Sequence, residues 1–198
     1  MFSKVDRLLE LHDIAVANGA NALLINSMTT GLSAVRMLRK HACVPLVSHF
    51  DLFGTMIQLP HHGVRELVFT KLLRMVGFEA IVYPGFGARM KSSKEDILAS
   101  AQACLMPMGN LKPNLPIPAG SQWAGSLYDL IETLGTIVFG IVPGRGVFGH
   151  PLGPKGGAVS LHQGWQAVSK GIPLEKYAQD HEELRQAISS RHKGNTEV

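Results

Sequence analysis

Apolar positions along the chain fall into two alternating signatures, a helical period and short uninterrupted runs. Residues 5–17 carry Val5, Leu8, Leu9, Leu11, Ile14 and Ala15, with Asp6, Arg7, Glu10 and Asp13 between them, an approximate helical period. Asn18-Gly19 supplies a helix stop. Residues 22–25, ALLI, form the continuous apolar run expected of a parallel strand buried on both faces. Residues 26–31 read as a polar loop. The alternation then continues with a helix at 32–40, a strand at 45–49 that ends on His49, a strongly amphipathic helix at 64–75 stopped by Gly77, and a strand at 80–83. Further along come a helix at 94–105, a strand at 111–118, a helix at 126–134 and a strand at 136–142. Helices at 158–170 and 174–190 close the pattern, leaving 191–198 as a frayed tail. One leading helix and about five strand-helix units predict a parallel sheet with right-handed crossovers, whose ligands gather at the carboxyl ends of the strands.

Two of those strand ends open into small-residue turns. The stretch 139–154, FGIVPGRGVFGHPLGP, runs from an apolar strand into a glycine-rich turn where the backbone amides of Gly144, Arg145 and Gly146 can close around an oxyanion. The second turn, Pro118-Ala119-Gly120-Ser121, follows the apolar Leu115-Pro116-Ile117. Either alone is explained by an ordinary turn. The pair in series matches the phosphate grip found after the last strands of a (β/α)8 barrel.

Composition sets limits. A chain of 198 residues, 45% hydrophobic and 17% charged, has enough apolar material for one globular domain, yet falls short of the roughly 250 residues of a full (β/α)8 barrel. The net charge of +4 comes from 19 scattered basic residues rather than a band, which argues against a nucleic-acid partner and suits a small phosphorylated substrate. Cys43 and Cys104 have no CxxC or Cys/His ligand spacing, so reduced thiols and a cytoplasmic setting are expected. No signal peptide is read, and no apolar run approaches the roughly 18 residues of a membrane span.

The segments GANALLINSMTTGL, VPLVSHF, HHGVRELVFTKLLRMVGFEAIVYPGFGARM, LPIPAGSQWAGSLYDLIETLG and PGRGVFGHPLGPKGGA together resemble the carboxyl-terminal part of the RuBisCO superfamily. The likeness is closer to RuBisCO-like proteins than to a true carboxylase, and it runs over roughly residues 8–171. It implies residues 1–190 as part of a (β/α)8 TIM barrel, an α/β fold, from the fourth to the eighth strand-helix unit, with 191–198 as a disordered tail. The first three strands and the amino-terminal domain are expected to be missing.

The resemblance also implies roles. His49 stands where the family has a histidine at the end of the fifth strand, to shuttle protons or bind a substrate hydroxyl, or else simply to satisfy backbone. Phe50 replaces the phosphate-binding arginine of true carboxylases. Arg89 stands at or near the mobile-loop lysine that steers carbon dioxide, and an arginine fork is a poor substitute for that point charge, so carboxylation is not expected. The family's Ser-Gly-Gly turn reads here as Ala119-Gly120-Ser121 and its Gly-Gly-Gly turn as Gly144-Arg145-Gly146, with Arg145 adding a positive charge for phosphate or carboxylate. Trp123 takes the place of a substrate-side histidine, as pocket wall or plain packing. His61, His62 and His150 read as loop structure rather than metal ligands.

Family members hold Mg²⁺ with a Lys-x-Asp-Asp/Glu type of motif on the second strand. That motif is absent from this chain, and Asp51 alone cannot supply an octahedral oxygen set. The expected activity of the whole protein is Mg²⁺-assisted enolisation of a phosphorylated ketose, sugar acid or keto acid, with this chain inactive by itself. Two rival readings are a non-catalytic phosphate-binding remnant and a module that docks on a separate amino-terminal half through the unpaired edge at 22–25. A homo-oligomer is implied by the resemblance.

Overall fold

In a computed structural model, residues 5–59, 61–86 and 92–194 are described. The elements run α1 (Val5–Ala17), β1 (Leu23–Asn26), α2 (Ser27–Thr30), α3 (Leu32–His41), β2 (Leu46–His49), α4 (Phe53–Met56), α5 (Glu66–Val76), β3 (Ala80–Pro84) and α6 (Lys94–Leu105). They continue with β4 (Leu115–Ala119), α7 (Ser126–Leu134), α8 (Gly144–Phe148), α9 (Gly153–Ser169), α10 (Leu174–Tyr177), a 3₁₀ turn (Ala178–Asp180) and α11 (Glu182–Gly194). The four strands form one sheet in the order β1-β2-β3-β4, with β1/β2 and β2/β3 parallel, the α/β arrangement that the alternation predicts. Contacts divide the described residues into two compact units. Among the described residues, 5–85, 92–118 and 138–140 make up the first; 86, 119–137 and 141–194 make up the second.

The first unit packs α3 and α5 against the sheet. Val35, Leu38, Leu46, Leu73, Val76, Phe78, Ile81 and Cys104 form its buried cluster. Along α5 the buried positions are Glu66, Phe69, Thr70, Leu73, Arg74 and Val76, the helical spacing that made this segment legible, and Gly77 ends it with φ of 109°. Ser93 caps α6 by accepting the Asp96 amide at 3.1 Å. All of β3 is buried. β1 lies at the sheet edge and alternates half-buried with exposed, leaving Leu24 open, so the expected burial on both of its faces does not occur.

The second unit collects Ala124, Ala167, Leu174, Tyr177, Ala178 and Leu184 into a separate cluster, with Trp123, Tyr128, Leu161, Ile172 and Ile188 packed on it.

Several expected boundaries change, three of them by more than a shift of ends. The polar loop at 26–31 contains the helical turn α2, because Asp51 accepts the Met28 and Thr29 amides at 2.9 and 2.7 Å and so caps the turn from a distant part of the chain. The strand expected at 136–142 reduces to an isolated parallel bridge between Ala119 and Val142, since Pro116 and Pro118 remove ladder donors from β4. The last helix continues to Gly194 instead of ending at 190, and a 3₁₀ turn breaks the segment before it. Residues 195–198 lie outside the described residues.

Arg74 sits inside the first unit at 2% exposure, donating from Nη1 to the carbonyls of Ala103 and Met106 at 2.5 and 2.9 Å and from Nη2 to that of Lys112 at 3.1 Å. One side chain thereby satisfies the carboxyl end of α6 and the segment leading into β4. Replacing it with leucine strands those carbonyls, and urea unfolding of Arg74→Leu is expected to show a loss of about 3 kcal/mol in stability.

Candidate phosphate-binding site

Both glycine-rich turns lie in the second unit, and the structure brings them together. After β4 the chain enters left-handed conformations at Gly120, with φ of 124°, and at Ser121, with φ of 45°. The Ser121 carbonyl accepts a hydrogen bond from Arg191 Nη2 at 3.4 Å. The second turn is not the open loop expected. Gly144–Phe148 is the short helix α8, and the Val147 amide returns to the Pro143 carbonyl at 2.9 Å. The amides of Gly144, Arg145 and Gly146 therefore precede the helix's own ladder, as first-turn donors do. Gly144 and Arg145 are exposed, whereas Gly146 is buried.

What buries Gly146 is the first turn. A Cβ there would stand 2.5 Å from the Gln122 carbonyl oxygen and 2.9 Å from Trp123 Cα, so only glycine fits. Buried Gln122 adds a second tie, its Oε1 accepting the Val142 amide at 2.9 Å. α8 is seated on α9 just as closely, since a Cβ on Gly157 would stand 2.4 Å from the Val147 carbonyl oxygen.

Two cations flank these turns. The Arg191 guanidinium lies 5.6 Å from the centre of the Trp123 ring, and its pKa is lowered by burial and then by the charge of Arg145. An anion beside them would relieve that repulsion. Trp123, read as pocket wall or plain packing, packs on the second unit's cluster and lines a largely apolar cavity of about 540 Å³ with Tyr128, Leu174, Ile188 and Arg191. Arg191 was missed in the sequence because it fell in the expected tail. Gln122 had only its place beside the quoted turn to signal it.

His49 ends β2 in the first unit, exposed, opposite Asn26, with its carbonyl accepting the Ser27 hydroxyl at 3.1 Å. Arg89 lies outside the described residues. His150 is buried and structural: Nε2 donates to the Glu183 carbonyl at 2.9 Å while Nδ1 accepts the Leu152 amide at 3.1 Å. His61 and His62 are exposed beside a cleft that Arg65, Glu66 and Asp96 also line. Glu66, absent from the sequence reading, is buried at the start of α5; its Oε1 accepts the Ser92 hydroxyl at 2.5 Å and its Oε2 has no hydrogen-bond partner among the described residues. Burial pushes its carboxyl up to about 7.

The described residues do not fit a Mg²⁺ cage. Burial raises the Asp51 pKa, but hydrogen bonds from Thr29 and Met28 outweigh it and hold the carboxylate below its usual range, with both oxygens committed to backbone amides. The one group of three metal-capable side chains among the described residues, His12, Asp13 and His41, offers imidazole nitrogen rather than the all-oxygen set Mg²⁺ prefers.

The family model for the ribulose bisphosphate carboxylase large chain, catalytic domain, matches residues 2–191, nearly the whole chain. The chain belongs to the RuBisCO large-chain family. It is 57% identical to a ribulose bisphosphate carboxylase-like protein of Allochromatium vinosum over 187 residues, covering 94% of this chain and 41% of that protein. It is 30% identical to a 3-oxo-isoapionate-4-phosphate decarboxylase of Rhizobium etli, covering 93% of this chain and 45% of the other. Among solved structures, an octameric ribulose-1,5-bisphosphate carboxylase/oxygenase from Pyrococcus horikoshii shares the fold with a TM-score of 0.89 over 99% of this chain and 47% of that one, at 24% identity. The chain thus spans less than half the length of these RuBisCO relatives. No helix among the described residues is long and apolar enough to cross a membrane.

Two expectations follow. Gly146→Ala forces the turns apart and is expected to lower stability by about 2 kcal/mol, read by the fluorescence of Trp123 and Trp165, which both belong to the second unit. Gly144→Ala, with nothing within 4 Å of the added carbon, leaves the transition nearly unchanged. In the first unit, Glu66 binds its proton more tightly folded than unfolded. Its contribution is fully present below the unfolded value of 4.5 and is lost as pH rises to about 7. Stability measured from pH 4.5 to 8 should therefore fall less steeply in Glu66→Gln than in the parent chain.

Proposed function

We propose that this chain is the phosphate-holding, carboxyl-terminal part of a RuBisCO-like enzyme that enolises a phosphorylated ketose, sugar acid or keto acid, in the manner of a tautomerase, isomerase or decarboxylase. The observation that carries this reading is the seating of one glycine turn on the other through Gly146 and Gln122, which fixes two sets of small-residue backbone beside Arg145 and Arg191. The phosphorylated substrate in the name of the Rhizobium etli relative supports the ligand class.

In this scheme the amides of Gly120, Ser121, Gly144 and Arg145 hold phosphate, Gly146 keeps the turns in register, and the Arg145 guanidinium adds charge-assisted donors. His49 moves a proton or binds a substrate hydroxyl. Arg89 closes on the substrate. Mg²⁺, which would stabilise an enediolate, needs ligands from outside this chain, and the isolated chain is inactive. A homo-oligomer, or assembly with a complementary amino-terminal half, completes the enzyme, in a cytoplasmic setting. The second reading, docking of that half along the β1 edge, draws on the exposed Leu24 of β1 and the exposed Leu11 and Ile14 of α1.

Calorimetric titration with inorganic phosphate tests the reading. Binding is expected to be equal with Mg²⁺ and with chelator, and at least about tenfold weaker in Arg145→Ala, as loss of a charge-assisted hydrogen bond implies. Equal affinity in that variant contradicts the assigned role of Arg145, and turnover of a sugar phosphate by the isolated chain contradicts its inactivity.

A further inference from the structure

Two imidazoles and one carboxylate converge where α1 packs beside the end of α3. His12 Nδ1 lies 2.8 Å and His41 Nε2 lies 2.6 Å from the same atom, Asp13 Oδ1. One ligand atom from each of the three residues stands within 4.8 Å of the other two. The His12 and His41 rings meet edge to face, 5.1 Å between centres. His12 is buried at 4% exposure and its Nε2 has no partner among the described residues, so the contact at Nδ1 is the polar anchor of that ring. Asp13 and His41 keep 59% and 39% of their side chains exposed, which leaves the convergence open to solvent on one side.

The residues come from two helices, so the cluster is made by folding. His12 and Asp13 are neighbours on α1, one turned into the core and the other out; His41 is the last residue of α3 and reaches the carboxylate from 28 residues away. A cation here also meets the negative end of the α3 dipole. His41 stands five residues before β2 begins at Leu46, whereas His49 ends that strand.

We propose that His12, Asp13 and His41 bind a divalent transition-metal ion of the zinc class, with at least one coordination position left to water. Two imidazole nitrogens and one carboxylate oxygen are the donors such ions take, whereas Mg²⁺ selects oxygen. With bonds of roughly 2.0–2.2 Å, ligand atoms around a tetrahedral ion stand about 3.4 Å apart. To take the ion, the two contacts at Asp13 open by somewhat more than half an ångström and the two ring nitrogens, now within 4.8 Å of one another, settle at about the same 3.4 Å spacing. Bound metal would pin α1 to α3 and brace the edge of the first unit. It stabilises the folded chain and takes no part in the phosphate chemistry.

The test uses the full chain, stripped with chelator and titrated with Co²⁺ while visible absorption is followed, with Zn²⁺ then added in competition. The expected result is one Co²⁺ per chain, displaced by Zn²⁺. Both His41→Ala and Asp13→Asn, checked for native circular dichroism, should bind at least about tenfold more weakly. Because these two side chains are exposed, either substitution leaves the packing of the first unit in place. No saturable binding by the parent chain, or a smaller loss in either variant, overturns the proposal.

Discussion

The approach of Gly146 to the Gln122 carbonyl is the constraint on which the second unit's site depends. Two turns separated by more than twenty residues of sequence meet there without a side chain between them, and a single methyl group would push them apart. Everything else around the turns follows from that seating. Gln122 is buried and must find a partner, which it does at the Val142 amide; Ser121 is held in a left-handed conformation with its carbonyl on Arg191; and Arg191 lies over Trp123. Small residues thus matter here for close approach as much as for conformational freedom. Gly144 and Gly146 look alike in the sequence and do different things.

The first unit rests on a different kind of interaction. Its sheet and helices are organised by apolar burial, but its polar groups are satisfied over long distances. Arg74 closes carbonyls at the end of α6, Asp51 caps α2, and Glu79 Oε2 accepts the Leu46 amide. These long-range ties explain why short polar segments take up regular structure. They also show how a carboxylate as isolated in sequence as Asp51 comes to have both oxygens engaged by backbone amides.

Periodicity made the helices legible wherever burial was one-sided. The limits of α6 and α7 are those that the pattern of residues 94–105 and 126–134 predicts, and α5 differs by two residues at its start and one at its end. The strands at Ala80–Pro84 and Leu46–His49 were legible as short apolar runs. What the pattern did not reveal depends on partners far away in sequence: the turn α2 on Asp51, the collapse of the strand at 136–142 on the prolines of β4, and the helical geometry of Gly144–Phe148 on its seat against α9. Arg191, Glu66 and the meeting of His12 with His41 were likewise invisible, because nothing local distinguishes an arginine near a terminus, a glutamate opening a helix or two histidines 29 positions apart. The two glycine turns were visible because their composition departs from that of ordinary connections. The family match covers residues 2–191, while Arg89 lies outside the described residues.

The proposed role of the paired turns of the second unit is to hold phosphate through backbone amides. The most direct measurement is a titration of the ¹⁵N-labelled chain with inorganic phosphate, followed by amide chemical shifts. Saturable shifts are expected, concentrated at Gly120, Ser121, Gly144 and Arg145 and unchanged by chelator. Shifts that are absent, that do not saturate, or that gather at other basic residues while these four amides stay still would contradict it.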